Sequence, residues 1–71
     1  MTVAEVLGAI KDNYVEVRVN EYRGLDHTGV RYVFEPHKLN VSVLPQNIQN
    51  REVTEIVPYW DSISVDIDAI D

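Results

Sequence analysis

The most regular pattern in the chain is an alternation of apolar and polar residues between positions 51 and 70. Ile63, Val65 and Ile67 alternate with serine and aspartate, and a second alternating run precedes a break at residues 58–61, Pro-Tyr-Trp-Asp. Successive side chains of a β-strand point to opposite faces, so one face here suits a core and the other suits water. The pattern therefore predicts a C-terminal β-hairpin.

The N-terminal segment follows a helical period instead. Thr2 and Glu5 have the spacing of a capping box, and an apolar stripe with i, i+3, i+4 and i+7 spacing runs over residues 3–10. Lys11 follows the stripe, where a cation interacts favourably with the helix dipole. Because so short a helix is not stable alone, we expect it to cover the apolar face of the sheet.

Three further strands are predicted between the helix and the hairpin. Residues 14–22 and 30–35 alternate, and a polar loop with two glycines joins them over residues 23–29. Residues 39–43 alternate again, and residues 45–50 are typical of a turn. With the C-terminal hairpin, the chain is expected to contain about five strands.

These elements predict a single α+β domain over residues 1–71. A short N-terminal helix packs on an antiparallel sheet of about five strands, which is either open or partly closed into a barrel. The composition, 45% hydrophobic and 25% charged, is that of a globular protein. The absence of cysteine fits a reducing compartment, and the sequence contains neither a signal-peptide pattern nor an apolar run of about 20 residues. We expect a cytoplasmic protein without a membrane partner.

The full chain has a net charge of -6, and its negative charge is concentrated in the second half. Residues 1–38 contain six acidic and five basic side chains, whereas residues 39–71 contain six acidic ones and only Arg51. Direct nucleic-acid binding needs cations that face phosphate, so we do not expect it. The acidity serves either solubility or the attraction of a basic protein partner.

Two groups of hairpin residues are candidates for a protein interface. Tyr59 and Trp60 are adjacent in the predicted turn, so at least one of them is expected to be exposed and available as an anchor. In the alternative, Trp60 folds over the end of the core. The acidic side chains form either a solvated face that discourages edge pairing or a charged surface for a partner; they are Glu52, Glu55, Asp61, Asp66 and Asp68.

Catalysis and metal binding find little support in the sequence. His27 and His37 could meet near one end of the sheet, but they lack a metal-ligand spacing. Asp66 and Asp68, about 6.5 to 7 Å apart on one strand face, lack an evident third ligand. A cysteine nucleophile, a GxSxG motif and a glycine-rich phosphate loop are all absent. We therefore expect no enzymatic activity, no cofactor and no metal.

A set of short segments in the last third of the chain carries a resemblance. They are residues 50–53 (Asn-Arg-Glu-Val), Ile56, the aromatic-bearing turn and residues 63–67 (Ile-Ser-Val-Asp-Ile). Together with the opening helix and first strand, they resemble small acidic proteins of phages and mobile elements of Gram-positive bacteria. The loop at residues 23–29 and Pro36 depart from that pattern.

The resemblance implies an accessory protein that binds a host or phage protein. Some anti-CRISPR and anti-restriction inhibitors are small, acidic and DNA-mimicking, so the expected partner is a nucleic-acid-binding protein with a basic groove. The alternative function is structural: a homo-oligomer or virion component joined through an edge strand or the aromatic turn.

Overall fold

A computed structural model describes residues 1–10 and 12–70 as two short α-helices, one 3₁₀ turn and four strands. Lys11, which was expected to interact favourably with the helix dipole, lies outside the described residues. No helix in the described part of the chain is long and apolar enough to cross a membrane. The elements are α1 (Val3–Ala9), β1 (Glu16–Arg23), β2 (Asp26–Phe34), the 3₁₀ turn (Val41–Val43), α2 (Gln46–Gln49), β3 (Val53–Pro58) and β4 (Ser62–Asp68).

The four strands form one mixed sheet in the order β2-β1-β4-β3. β1 with β2 and β3 with β4 are antiparallel, whereas the central strands β1 and β4 run parallel. The predicted α+β class and C-terminal hairpin are confirmed. The predictions of five strands and of a purely antiparallel sheet are wrong, and the sheet is open rather than closed into a barrel.

α1 begins with the predicted capping box. The Thr2 hydroxyl accepts the Glu5 N–H at 3.2 Å, and the Glu5 carboxylate accepts the Thr2 N–H at 2.9 Å. The helix buries Val3, Val6 and Leu7 against one face of the sheet. The core residues of the two central strands have no exposed surface at all, and Phe34 at the end of β2 is nearly buried; the central-strand residues are Val17, Val19, Val65 and Ile67. The expected packing of the helix on the apolar face is confirmed.

The parallel central pair requires the chain to pass from one edge of the sheet to the other between β2 and β3. This crossing segment, residues 35–52, lies on the same side of the sheet as α1. Leu44 and Ile48 enter the core, and Leu39 and Val41 pack against it. The segment therefore forms part of the cover over the apolar face.

The third predicted strand, residues 39–43, is absent, and this part of the crossing segment is irregular before the 3₁₀ turn. Buried Asn13 replaces a neighbouring strand as hydrogen-bond partner: its side-chain oxygen accepts the Leu39 N–H at 3.1 Å, and its backbone oxygen accepts the His37 N–H at 2.7 Å. Its amide also donates to the Glu35 carbonyl at 2.8 Å. Leu39 and Val41 are apolar because they pack against the core, whereas Val43 is exposed, so the alternation does not mark a strand.

The connection between β1 and β2 is shorter than the predicted loop over residues 23–29. Only Gly24 and Leu25 lie between the paired residues Arg23 and Asp26. Gly24 has a φ of 66°, and a type II′ hairpin turn requires glycine at this first central position. Residues 26–29 of the predicted loop belong to β2 instead. The strand contains a bulge in which residues 28–30 lie opposite the single residue Glu21 of β1.

A largely buried ion pair links β1 to the end of the crossing segment. The Glu21 carboxylate accepts from Arg51 Nη1 at 3.0 Å and from the Thr28 hydroxyl at 2.7 Å. The two charged side chains are only 14% and 13% exposed. The hydrogen bond from Thr28, followed by that from Arg51, lowers the pKa of Glu21 from its ordinary value of 4.5.

We predict that Glu21→Gln lowers the free energy of unfolding by on the order of 1–3 kcal/mol near neutral pH. Because the pKa of Glu21 is lower in the folded state, the stabilisation is complete above about pH 5 and is lost as the pH falls through the folded pKa. Urea denaturation from pH 7 to pH 3 should show the two curves converging in acid. Glu35→Gln, which alters an exposed ion pair, is the control and should show little effect. A constant difference between wild type and Glu21→Gln at every pH would contradict this account.

Candidate functional site

The sheet face that points away from α1 and the crossing segment is here called the open face. Its side chains alternate with those of the core, as the sequence pattern predicted for β1 and β4. The central positions of this face are polar, and the outer positions include both charged and apolar residues. The residues of the open face are Glu16, Arg18, Asn20 and Tyr22 of β1, Arg31 and Val33 of β2, Glu55 and Val57 of β3, and Ser62, Ser64, Asp66 and Asp68 of β4.

A hydrogen-bonded network crosses the centre of the open face. Arg31 Nε donates to Asn20 Oδ1 at 2.8 Å, Asn20 Nδ2 donates to Ser64 Oγ at 2.9 Å, and Ser64 Oγ donates to Asp66 Oδ1 at 2.6 Å. Asn20, Ser64 and Asp66 are buried although no helix or strand of the described residues packs on this face. Asp66 is therefore committed to the network, and it is not the free surface charge that the sequence suggested.

Charge is distributed unevenly across the open face. Arg18 and Arg31 lie on the β1–β2 side, and Arg18 pairs with Glu16 on its own strand. On the other side, Glu55 lies opposite Asp66 in the register, and Asp68 follows on the same face. β3 and β4 contain no lysine or arginine. We call the β3–β4 side the acidic half of the open face.

The acidic half contains a shallow concavity of about 200 Å³ at the end of the sheet where β1 and β4 finish. Its carboxylates are those of Glu55, Asp66 and Asp68, and the turn residue Leu25 beside them is fully exposed. Carboxylates at the edge of an apolar side chain provide a surface that suits lysine and arginine, whose stems are apolar and whose heads are charged. The remaining lining residues are Tyr22, Gly24 and Thr54.

The aromatic turn lies at the opposite end of the same hairpin. Trp60 is 94% exposed and Tyr59 is 56% exposed, so the alternative in which Trp60 folds over the core is wrong. Asp61 is exposed beside them. β4 has seven residues, which places the turn roughly 20 Å from Asp68. The aromatic and acidic candidates are therefore two separate surfaces.

Glu52 stands apart from both surfaces. Its side chain is exposed and forms an ion pair with the Met1 amino group at 3.0 Å. Its backbone forms an isolated β-bridge with Thr2. It lies just before β3, near the start of α1. The structure thus brings together Glu55, Asp66 and Asp68 but not the other predicted acidic residues.

Tyr14 is an exposed aromatic residue that the sequence did not single out. The parallel register pairs Glu16 with Ser62, so Tyr14 and Trp60 each precede this pair by two residues, at the same end of the sheet. Tyr14 is 77% exposed and makes an edge-to-face contact with the His37 ring at 5.4 Å. Only knowledge of the parallel pairing could have placed Tyr14 at the same end of the sheet as the aromatic turn.

The two histidines lie at opposite ends of β2, so the expectation that they could meet is wrong. His27 is the second residue of the strand and His37 follows its end, a separation on the order of 20 Å. His37 Nδ1 instead contacts Asp12 at 2.8 Å on the surface. Across residues 1–10 and 12–70, no group of three or more His, Cys, Asp and Glu side chains is arranged to hold a metal ion.

Comparison of the chain with models of protein families, with curated proteins and with solved structures found no match. The resemblance to phage and mobile-element proteins stays a prediction. Function is therefore argued from the surfaces described above.

We predict that Trp60→Ala changes the free energy of unfolding by less than about 0.5 kcal/mol, because an exposed side chain without core contacts contributes little to stability. Ile67→Ala in the same hairpin is the control and should cost about 2–5 kcal/mol, since Ile67 is fully buried. Urea denaturation monitored by circular dichroism measures both. A loss above about 1 kcal/mol for Trp60→Ala would show that Trp60 belongs to the core.

Proposed function

We propose that the protein is a non-enzymatic binding module that engages a basic partner protein through the acidic half of its open face. The observation that carries the proposal is the charge of β3 and β4, which contain Glu55 and Asp68 and no lysine or arginine. Such a surface attracts a cationic partner over several ångströms and accelerates its association.

The aromatic end of the sheet supplies the second part of the proposed interface. Tyr14, Tyr59 and Trp60 are exposed at that end and Trp60 is nearly fully so. Aromatic side chains are the residues that most often carry binding energy at interfaces, each burying about 150–250 Å². Their exposure supports a partner that spans the hairpin along its length of roughly 20 Å.

The partner class that fits this surface best is a nucleic-acid-binding protein. Such proteins concentrate lysine and arginine in the groove that faces phosphate. Carboxylates that occupy the groove would compete with nucleic acid, which is the inhibitor function implied by the resemblance to phage accessory proteins. The proposal includes a cytoplasmic location, where such partners occur. A protein without cysteine does not depend on disulfide bonds, which the reducing cytoplasm does not support.

A structural homo-oligomer is the second candidate function. It is favoured by the two outer strands of the sheet, β2 and β3, each of which pairs with a strand on one side only within residues 1–10 and 12–70. Unpaired edges are templates for association with another chain. The negative charge of every copy opposes this candidate, since each chain carries a net charge of -6.

We predict that Glu55→Lys/Asp68→Lys weakens partner binding at least tenfold, because two repulsive charges replace two attractive ones. The matched control is Asp26→Lys/Glu35→Lys, which makes the same change in net charge on two exposed residues, the first residue of β2 and the residue after its end, and should retain binding. The partner would be captured from a lysate of the source cells in low salt, identified by mass spectrometry, purified and titrated calorimetrically. Wild-type affinity should fall with increasing salt.

Two results would contradict the proposed function. One is equal loss of affinity in both double variants, which would indicate net charge rather than the acidic half. The other is an affinity that is independent of salt and of Glu55 and Asp68.

A further inference from the structure

Within the described residues, the middle of the outer edge of β3 is unpaired, whereas at its start the Val53 N–H donates to the Met1 carbonyl at 2.8 Å and at its end Pro58 has no N–H. In the part of the chain that the structure describes, β3 pairs only with β4, and the isolated Thr2–Glu52 bridge lies just before its first residue. Hydrogen-bonded and non-hydrogen-bonded pairs alternate in an antiparallel ladder. Because the Tyr59 N–H donates to the Ser62 carbonyl at 2.7 Å, the register directs the N–H and C=O of Ile56 outward, away from β4.

An apolar groove runs beside this edge on the helix side of the sheet. The register shift at Thr54 places both Val53 and Ile56 on that side, opposite the fully buried Ile67 and Val65. Ile56 nevertheless remains 50% exposed, because α1 covers the central strands and leaves β3 partly open. The groove has a volume of about 310 Å³ and is lined by Met1, Val6, Val53, Thr54, Glu55 and Ile56.

The opposite side of the same edge is acidic. Glu55 lies opposite Asp66 and so belongs to the open face. Neither α1 nor β3 contains a lysine or arginine. A strand that adds to β3 would thus meet apolar side chains on one of its faces and carboxylates on the other.

We propose that β3 binds an extended segment of the partner, in which apolar residues alternate with lysine or arginine, as a fifth strand of the sheet. The alternation follows from the period of two along a strand, which directs apolar side chains into the groove and basic ones toward Glu55. Backbone hydrogen bonds at Ile56 provide the pairing. This inference rests on the proposed function, because it names the segment that the acidic half would recognise.

Charge decides between such a segment and a second copy of this chain. Pairing β3 with β3 of another copy would bring the Glu55 carboxylates of both copies to one face of the joined sheet, and like charges on neighbouring strands are destabilising. A basic segment replaces this repulsion with attraction. The charge of the edge therefore favours a basic partner segment.

The test uses two fluorescent nine-residue peptides composed of lysine and valine, one alternating and one with the same residues in two blocks. We expect the alternating peptide to bind the full chain and the block peptide to bind at least tenfold more weakly, as measured by fluorescence anisotropy. Ile56→Lys should weaken binding at least tenfold, because it places a cation in the groove. Val43→Lys, which makes the same charge change at an exposed valine in the 3₁₀ turn, is the matched control and should leave binding unchanged.

Amide hydrogen exchange followed by nuclear magnetic resonance reports on the edge directly. Exchange of the Ile56 amide should slow at least tenfold when the alternating peptide is bound. Failure of the alternating peptide to bind, or binding with no change at Ile56, would overturn the proposal. If both peptides bind equally and Glu55→Lys/Asp68→Lys weakens both, recognition by the acidic half stands and strand addition fails.

A second copy of the chain is the remaining occupant, and sizing of the free protein at high concentration distinguishes it. We expect a monomer with a rapidly exchanging Ile56 amide. A dimer that protects this amide and dissociates on Ile56→Lys would overturn the proposal.

Discussion

Parallel pairing of β1 with β4 is the interaction on which the rest of this structure depends. It joins residues that are more than 40 positions apart, from Glu16 with Ser62 to Tyr22 with Asp68. It also places the four fully buried sheet residues of the two strands side by side beneath α1. Because β2 and β3 must then occupy the outer positions, the chain has to cross the apolar face between them. The same segment that makes the crossing supplies Leu44 and Ile48 to the core.

The short helix α1 explains why part of the sheet is left uncovered. α1 has seven residues, which span only about 10 Å. It covers the central strands but leaves Ile56 of β3 half-exposed. No helix or strand among the described residues covers the open face, where the network from Arg31 to Asp66 satisfies the central polar groups.

Elements determined by neighbouring residues could be predicted from the sequence. The capping box of Thr2 and Glu5 and the alternation in β4 depend on spacings of two to four residues, and both occur as expected. The direction of β1 relative to β4 could not be predicted, because alternation is identical in parallel and antiparallel strands. The interpretation of residues 39–43 as a strand failed because a single buried side chain, Asn13, satisfies backbone groups that a neighbouring strand would otherwise bond.

The candidate site was predictable to the same limited extent. The sequence indicated that Asp66 and Asp68 share a face, but the burial of Asp66 depends on Ser64 and Asn20, and Asn20 comes from a strand 44 residues away from Ser64. Exposure of Trp60 could not be distinguished from packing on the core, since both are compatible with a turn. That Tyr14 and Trp60 lie at the same end of the sheet follows only from the parallel register of β1 and β4.

Hydrogen exchange of the free protein, with nuclear Overhauser contacts between backbone protons, tests the arrangement of the sheet most directly. The account predicts a parallel pattern of contacts between β1 and β4, with Val19 and Val65 among the slowest amides to exchange and Ile56 among the fastest. An antiparallel pattern between β1 and β4, or an Ile56 amide as protected in the monomer as that of Val65, would contradict it.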